Sequence, residues 1–394
     1  MSNETSESPE SNWRANLRVR AGILAGIAAL AGVAATANKA EAAHESYGIG
    51  LVGFTDQAIF TENLPDAEAQ AARIEAMGGT AVRFFYTINK ETAWPNYTTE
   101  VCNAFQAAYD HGLQPIVALT GADENGPGYV AKSNKEMQQA ATSAASIIWT
   151  VASNKDKDHP GGCVPQQKTF IITGDNEING GPPFNNNLGP QTPAQALKLD
   201  YKISKALKKT AARPEIQATV SYGESLAAGS HDPIQFLRDQ AQASNTLGIK
   251  VNYDFIDIHP YPKIANSDPT ATMQALYQPA EDAVNTLSPG AQVTFGEYGV
   301  NTIDPPADEA NTYNPPVSSA IGVSESNQIK YVTNFLKTAA SDGMPWVTLF
   351  DVQDDGTGYT PSTGVFYPSE DPVGGEPKSS QKAVRYQIGK YTGR

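Results

Sequence analysis

At 394 residues, with 40% hydrophobic and 18% charged side chains, the chain can fill a large globular core and is not intrinsically disordered. A formal net charge of -14 argues against nucleic acid or an anionic membrane as partner, since both reward clustered Lys and Arg. It does not repel a neutral, hydroxyl-rich ligand.

In chain order, residues 1–42 read as a targeting segment. Arg14, Arg18 and Arg20 precede a small-apolar run from Ala21 to Ala37, and Ala40, Glu41 and Ala42 offer an A-x-A cleavage site. The expectation is export with cleavage before Ala43, giving a secreted or cell-envelope protein; an uncleaved anchor is the rival reading. No membrane contact beyond export is expected. Cys102 and Cys163 are the only cysteines. Pairing and two separate buried thiols both remain open, and their spacing does not suit zinc.

From Tyr47 onward, short β-rich runs alternate with helix-like ones. The predicted strands are 47–54, 81–86, 114–120, 169–173, 215–220, 254–258, 292–295 and 346–350, each apolar enough to be buried on both faces. Between them, the helical spacing aligns Ala71, Ile74 and Met77, then Ala196, Leu199, Ile203 and Leu207, then Ile329, Val332, Phe335 and Leu336. Gly78 and Gly79 stop the first of these helices, and Thr192 with Pro193 is a cap-and-start signal for the second. Strand followed by helix, repeated in this way over residues 43–394, predicts a single (β/α)8 TIM-barrel domain rather than a doubly wound open sheet.

A barrel of this kind builds its site at the C-terminal ends of its strands, so the polar residues there are the candidates. They are Arg83 in strand two, Asp175, Asn176 and Glu177 after strand four, and Glu224 after strand five. Further on come His259 and Tyr261 after strand six, Glu297 and Tyr298 after strand seven, and Asp351, Gln353 and Asp354 after strand eight. Two carboxylates from different strands facing one cleft are what glycosidic cleavage needs. One protonates the leaving oxygen, and the other attacks or stabilises an oxocarbenium-like carbon.

Asn176 and Glu177 ending strand four, with Gly296 and Glu297 ending strand seven, resemble glycoside hydrolase clan A, the superfamily that includes families five and thirty-nine. The resemblance implies that Glu177 is the acid/base and Glu297 the nucleophile of a retaining enzyme. It also implies that Asn176 binds the sugar 2-hydroxyl, that Arg83 keeps Glu297 ionised, and that His259 and Tyr261 lie near the nucleophile. It spans Tyr47 to about Tyr391, ending in a Pro377–Lys378 step before a last helix. Two positions depart from it: Asp175 stands where an aromatic or Gly often precedes Asn-Glu, and Trp346 falls near the start of strand eight.

The expected activity is therefore hydrolysis of a β-linked glycoside or polysaccharide by double displacement, with an oligo- or polysaccharide partner. No organic cofactor and no metal are expected. Tyr261, Tyr298 and Trp94 are candidate sugar-contacting surfaces and Asp351 a candidate for substrate hydroxyls. Glu224 and Glu124 read as solvated side chains. A barrel that binds carbohydrate without turning it over is the alternative from another class. A metal-dependent barrel using Asp123, Glu124 and Asp175 is a third reading, weakened by the lack of clustered histidines.

Overall fold

A computed structural model describes residues 49–88, 97–121, 133–153, 162–164, 167–179, 192–227, 232–261, 269–300, 325–350, 377–378 and 380–392. All belong to the compact unit Tyr47–Arg394. The 1–42 segment lies outside the described residues, as do 302–324 and all but Asn179 of 179–191, two Pro- and Asn-rich stretches that the sequence suggests as long loops after strands seven and four.

The strands are β1 (Leu51–Thr55), β2 (Ala81–Thr87), β3 (Gln114–Thr120), β4 (Thr169–Asp175), β5 (Thr219–Ala227), β6 (Phe255–His259), β7 (Gln292–Tyr298) and β8 (Trp346–Phe350). The helices that follow them are α1 (Leu64–Ala76), α2 (Tyr97–Asp110), α3 (Asn134–Ala152), α4 (Pro193–Ala211), α5 (Pro233–Leu247), α6 (Pro269–Leu287), α7 (Glu325–Ser341) and α8 (Gln381–Thr392). All neighbouring strands pair in parallel and β1 closes on β8, so the sheet is a barrel in sequence order. This is the (β/α)8 TIM barrel that the alternation predicted.

Local chemistry sets the helix boundaries. Thr192 accepts from the Gln195 amide while Gln195 reaches back to the Thr192 N–H, with Pro193 in the first turn, and Ser133 and Glu136 form the same reciprocal cap on α3. Past the end of α1, Gly78 takes φ 80°, a left-handed conformation that costs glycine little. Lys378 is buried just before α8, where the Pro-Lys step was expected. A Cys102–Cys163 disulfide, spanning 61 residues, ties α2 to the segment ahead of β4 and settles the cysteine question in favour of pairing.

Two apolar layers result. Outward strand residues and the inner helix faces form the main core, in which Tyr298 stacks on Phe335 with ring centroids 4.1 Å apart. Inside the barrel, Ala81, Ile116, Ile171, Phe255 and Trp346 make a separate plug. Trp346 meets Phe255 edge-on at 5.2 Å and so belongs to the barrel floor, not to a sugar platform at its mouth. Side chains alternate along a strand, so two residues above this floor the same strands present Arg83, Asp257 and Thr348, all fully buried.

Candidate active site

Two irregularities aim the glutamates. In the β3–β4 pairing, Ala118 is opposite Thr173 but Leu119 is opposite Asp175, so Gly174 is an extra residue. In the β7–β8 pairing, Phe295 is opposite Val347 and Tyr298 opposite Leu349, so Gly296 and Glu297 together face the single residue Thr348. Each bulge resets the alternation at the C-terminal end of its strand, and such features are common beside active sites. Glu177 then takes φ 54°, a left-handed conformation that costs a non-glycine residue about 1–3 kcal/mol. It is held there from both sides: the Asn176 N–H donates to the Leu119 carbonyl at 2.8 Å and the Ile178 N–H to the Ser225 carbonyl at 3.1 Å.

The site forms around Arg83. Its Nη1 donates to Glu297 Oε1, and its Nη2 donates to Asn176 Oδ1 at 2.8 Å. The Tyr261 hydroxyl donates to the other Glu297 oxygen at 2.8 Å. Burial and the charges of Glu297 and Glu177 push the Tyr261 phenol well above its ordinary range, so it remains a donor. His259 Nδ1 lies 3.0 Å from Glu177 Oε1 and 3.4 Å from Glu297 Oε2. Burial disfavours the charged imidazole, but the charges of Glu297 and Asp257 and hydrogen bonds to Asp257 and Glu177 outweigh it, raising its pKa to about 10.

One carboxylate oxygen of Glu177, one of Glu297 and a His259 ring nitrogen all lie within 4.8 Å of one another. The Glu177 side chain keeps 18% exposure and that of Glu297 6%, while Arg83, Asp257 and His259 have none. Of these five side chains, Glu177 is thus the most open to an incoming ligand. A divalent cation suits this arrangement poorly, because both Glu297 oxygens already accept hydrogen bonds, one from a guanidinium.

Arg83, Asn176, Glu177, His259, Tyr261 and Glu297 therefore converge at the C-terminal mouth of the barrel. Trp94, Asp123, Glu124, Asp351, Gln353 and Asp354 lie outside the described residues. Tyr298 requires correction. It is 1% exposed and faces Phe335 of α7, because the β7 bulge uses Glu297 to fill the inward position and turns the next residue out. It lines no cleft.

Strand five is also displaced from the expectation of 215–220. Glu224 lies inside β5, fully buried against Gln240 and not solvated, and Asp175 lies on the same outer side of the barrel, close enough to raise the Glu224 pKa. Sequence reasoning missed Ser225 and Asp257. A charged residue at the centre of the short buried run Phe255–His259, on the same face as His259, was the available signal for Asp257.

No protein-family model matches the chain, and curated proteins likewise give no match. Solved structures do match. A GH5_18 protein from Streptomyces cattleya, in complex with GlcNAc, aligns over 87% of this chain and 80% of its own, with TM-score 0.60 and 16% identity. A fungal β-1,4-galactanase aligns over 81% and 90%, with TM-score 0.53 and 16% identity. The chain has the fold of the barrel glycosidases. A monomeric β-xylosidase from Caulobacter crescentus CB15 aligns over 86% of this chain and 68% of its own, with TM-score 0.56 and 14% identity.

Proposed function

We propose that this barrel glycosidase fold carries a retaining β-glycosidase, with Glu297 as nucleophile and Glu177 as acid/base. The observation that carries the reading is that an oxygen of Glu177 and an oxygen of Glu297 lie within 4.8 Å of each other and both lie within that distance of a His259 ring nitrogen, which leaves little room for a water between the nearest oxygens. Retaining enzymes keep their carboxyls about 5–5.5 Å apart, whereas inverting ones leave roughly 6.5–9.5 Å for a water between them.

In the first step a Glu297 oxygen attacks the anomeric carbon while Glu177 gives its proton to the departing glycosidic oxygen. In the second, Glu177 takes a proton from water, which attacks the same carbon and frees Glu297. Arg83 and Tyr261 hold the nucleophile in one rotamer and stabilise its charge between turnovers. Because Asn176 Oδ1 already accepts from Arg83, its amide N–H groups are the donors left for the sugar 2-hydroxyl.

A β-linked oligo- or polysaccharide is the substrate class, in keeping with neighbours described as a β-1,4-galactanase and a β-xylosidase. The disulfide supports export to an oxidising compartment. Incubation with a panel of 2-deoxy-2-fluoro glycosides, followed by peptide mapping, tests the reading. A fluorosugar on Glu297 is expected; a label elsewhere, or products of inverted configuration by NMR, would refute it.

A further inference from the structure

Beneath the two glutamates, Asp257 and Ser225 are not used by the mechanism as stated, although both face inward and are fully buried. They are direct partners in the β5–β6 register, two residues below the Ala227–His259 pair and on the same face. Asp257 touches three parts of the site. Its Oδ1 accepts from the backbone N–H of Gly296, the residue before the nucleophile. Its Oδ2 lies 3.3 Å from His259 Nε2 and 3.7 Å from Arg83 Nη2. We propose that Asp257 is the positioning residue of this site: it anchors the nucleophile's strand through Gly296 and fixes the His259 ring so that Nδ1 shares one proton with Glu177.

Donors and acceptors around the ring decide where its hydrogens lie. A carboxylate only accepts, and the Arg83 Nη2 donor lies farther from the ring at 3.5 Å and already donates to Asn176, so His259 Nε2 carries its hydrogen toward Asp257. The Ser225 hydroxyl, 3.2 Å from the same nitrogen, can accept as well, since its own hydrogen has Asn176 Oδ1 at 3.4 Å. With Nε2 protonated, a neutral imidazole would turn a bare Nδ1 toward two carboxylates. That is tenable only if one of them holds a proton, and the closest is Glu177 at 3.0 Å. Either Nδ1–H donates to Glu177, or the Glu177 hydroxyl donates to Nδ1; in both cases a single proton occupies the bridge.

This inference rests on the glycosidase reading and deepens it. The first step transfers the bridging proton to the leaving oxygen, which departs as an alcohol, and the second restores it from water, so the count balances over a turnover. Among the described residues, the groups facing His259 are Glu177, Glu297, Asp257, Arg83 and Ser225. Asp257 is the one whose charge can be removed without touching either glutamate.

Asp257→Asn retains an oxygen for Gly296 but removes the negative charge and can present N–H to Nε2. The test is twofold: the pH profile of aryl β-glycoside hydrolysis, and 15N-histidine NMR of the intact chain. In wild type, His259 should show a protonated Nε2 at pH 8. In the variant, its titration should move down by about one pH unit or more, and the basic limb of kcat/KM should follow by the same amount. A wild-type His259 protonated only on Nδ1, or a variant with unmoved titration and limb, would overturn the proposal. If wild type hydrolyses no glycoside, the functional reading fails, while the NMR comparison still decides whether Asp257 governs His259. Should the variant not fold, the wild-type tautomer alone decides it.

Discussion

Asp200 offers a quantitative test of how this barrel handles buried charge. It lies on α4, fully buried, accepting from the hydroxyls of Tyr222 at 2.5 Å and Tyr253 at 2.8 Å, with the Glu224 carboxyl beside it. None of these partners is a cation. Burial raises its pKa from 3.8 to about 6, against the lowering effect of the two phenols and Glu224. The folded chain therefore binds this proton more tightly than the unfolded chain does. The associated stability is fully present below pH 3.8 and is lost as pH rises through about 6. At 1.36 kcal/mol per pKa unit the whole effect is about 3 kcal/mol, of which about 2 kcal/mol falls between pH 4.5 and 7.5. Asp200→Asn removes the titrating group while keeping its size. Urea unfolding at those two pH values should show the wild type losing about 2 kcal/mol more than the variant. Equal losses would mean that the carboxylate is stabilised as an anion in the folded state, and the reasoning would be wrong.

Glu177→Gln should lower kcat about 10²–10⁴-fold on glycosides with poor leaving groups and far less on aryl glycosides that need no proton. Equal losses on both would contradict its role as acid; steady-state rates on the two substrates decide. Cys102→Ser opens a covalent loop spanning 61 residues and should cost about 4 kcal/mol, read as a fall in the urea midpoint. Phe335→Ala removes the ring stacked on Tyr298 and should destabilise by about 3–5 kcal/mol. In that variant, the turnover of the folded fraction should stay close to wild type; a loss of the same size as Glu177→Gln would place Tyr298 back in the cleft.

Much of the fold was legible because the helix and strand periods are local. The runs at 81–86, 114–120 and 346–350 fall within or on strands β2, β3 and β8, and Thr192 with Pro193 starts α4 as expected. β5 was misplaced. The run 215–220 is the more apolar, but Gln217 takes φ 52° and interrupts the extended chain, and the strand runs instead through Gly223, Glu224 and Ser225. Burying Glu224 there depends on Gln240 of α5 and on neighbouring carboxyls, none of which is close in sequence.

The order of strands and helices, the barrel they imply, and the pairing of an Asn-Glu step with a later Gly-Glu step were all present in the residues themselves. Each depends on composition and spacing within a few residues. Which side chains face the cleft was decided only in three dimensions. Strand alternation has a period of two, so one extra residue, as at Gly174 or between Phe295 and Tyr298, reverses every face beyond it. That is why Glu297 points inward and Tyr298 does not. The meeting of Asp257, Ser225 and His259 depends in the same way on the registers of β5 and β6, which are set by barrel closure and not by any local signal.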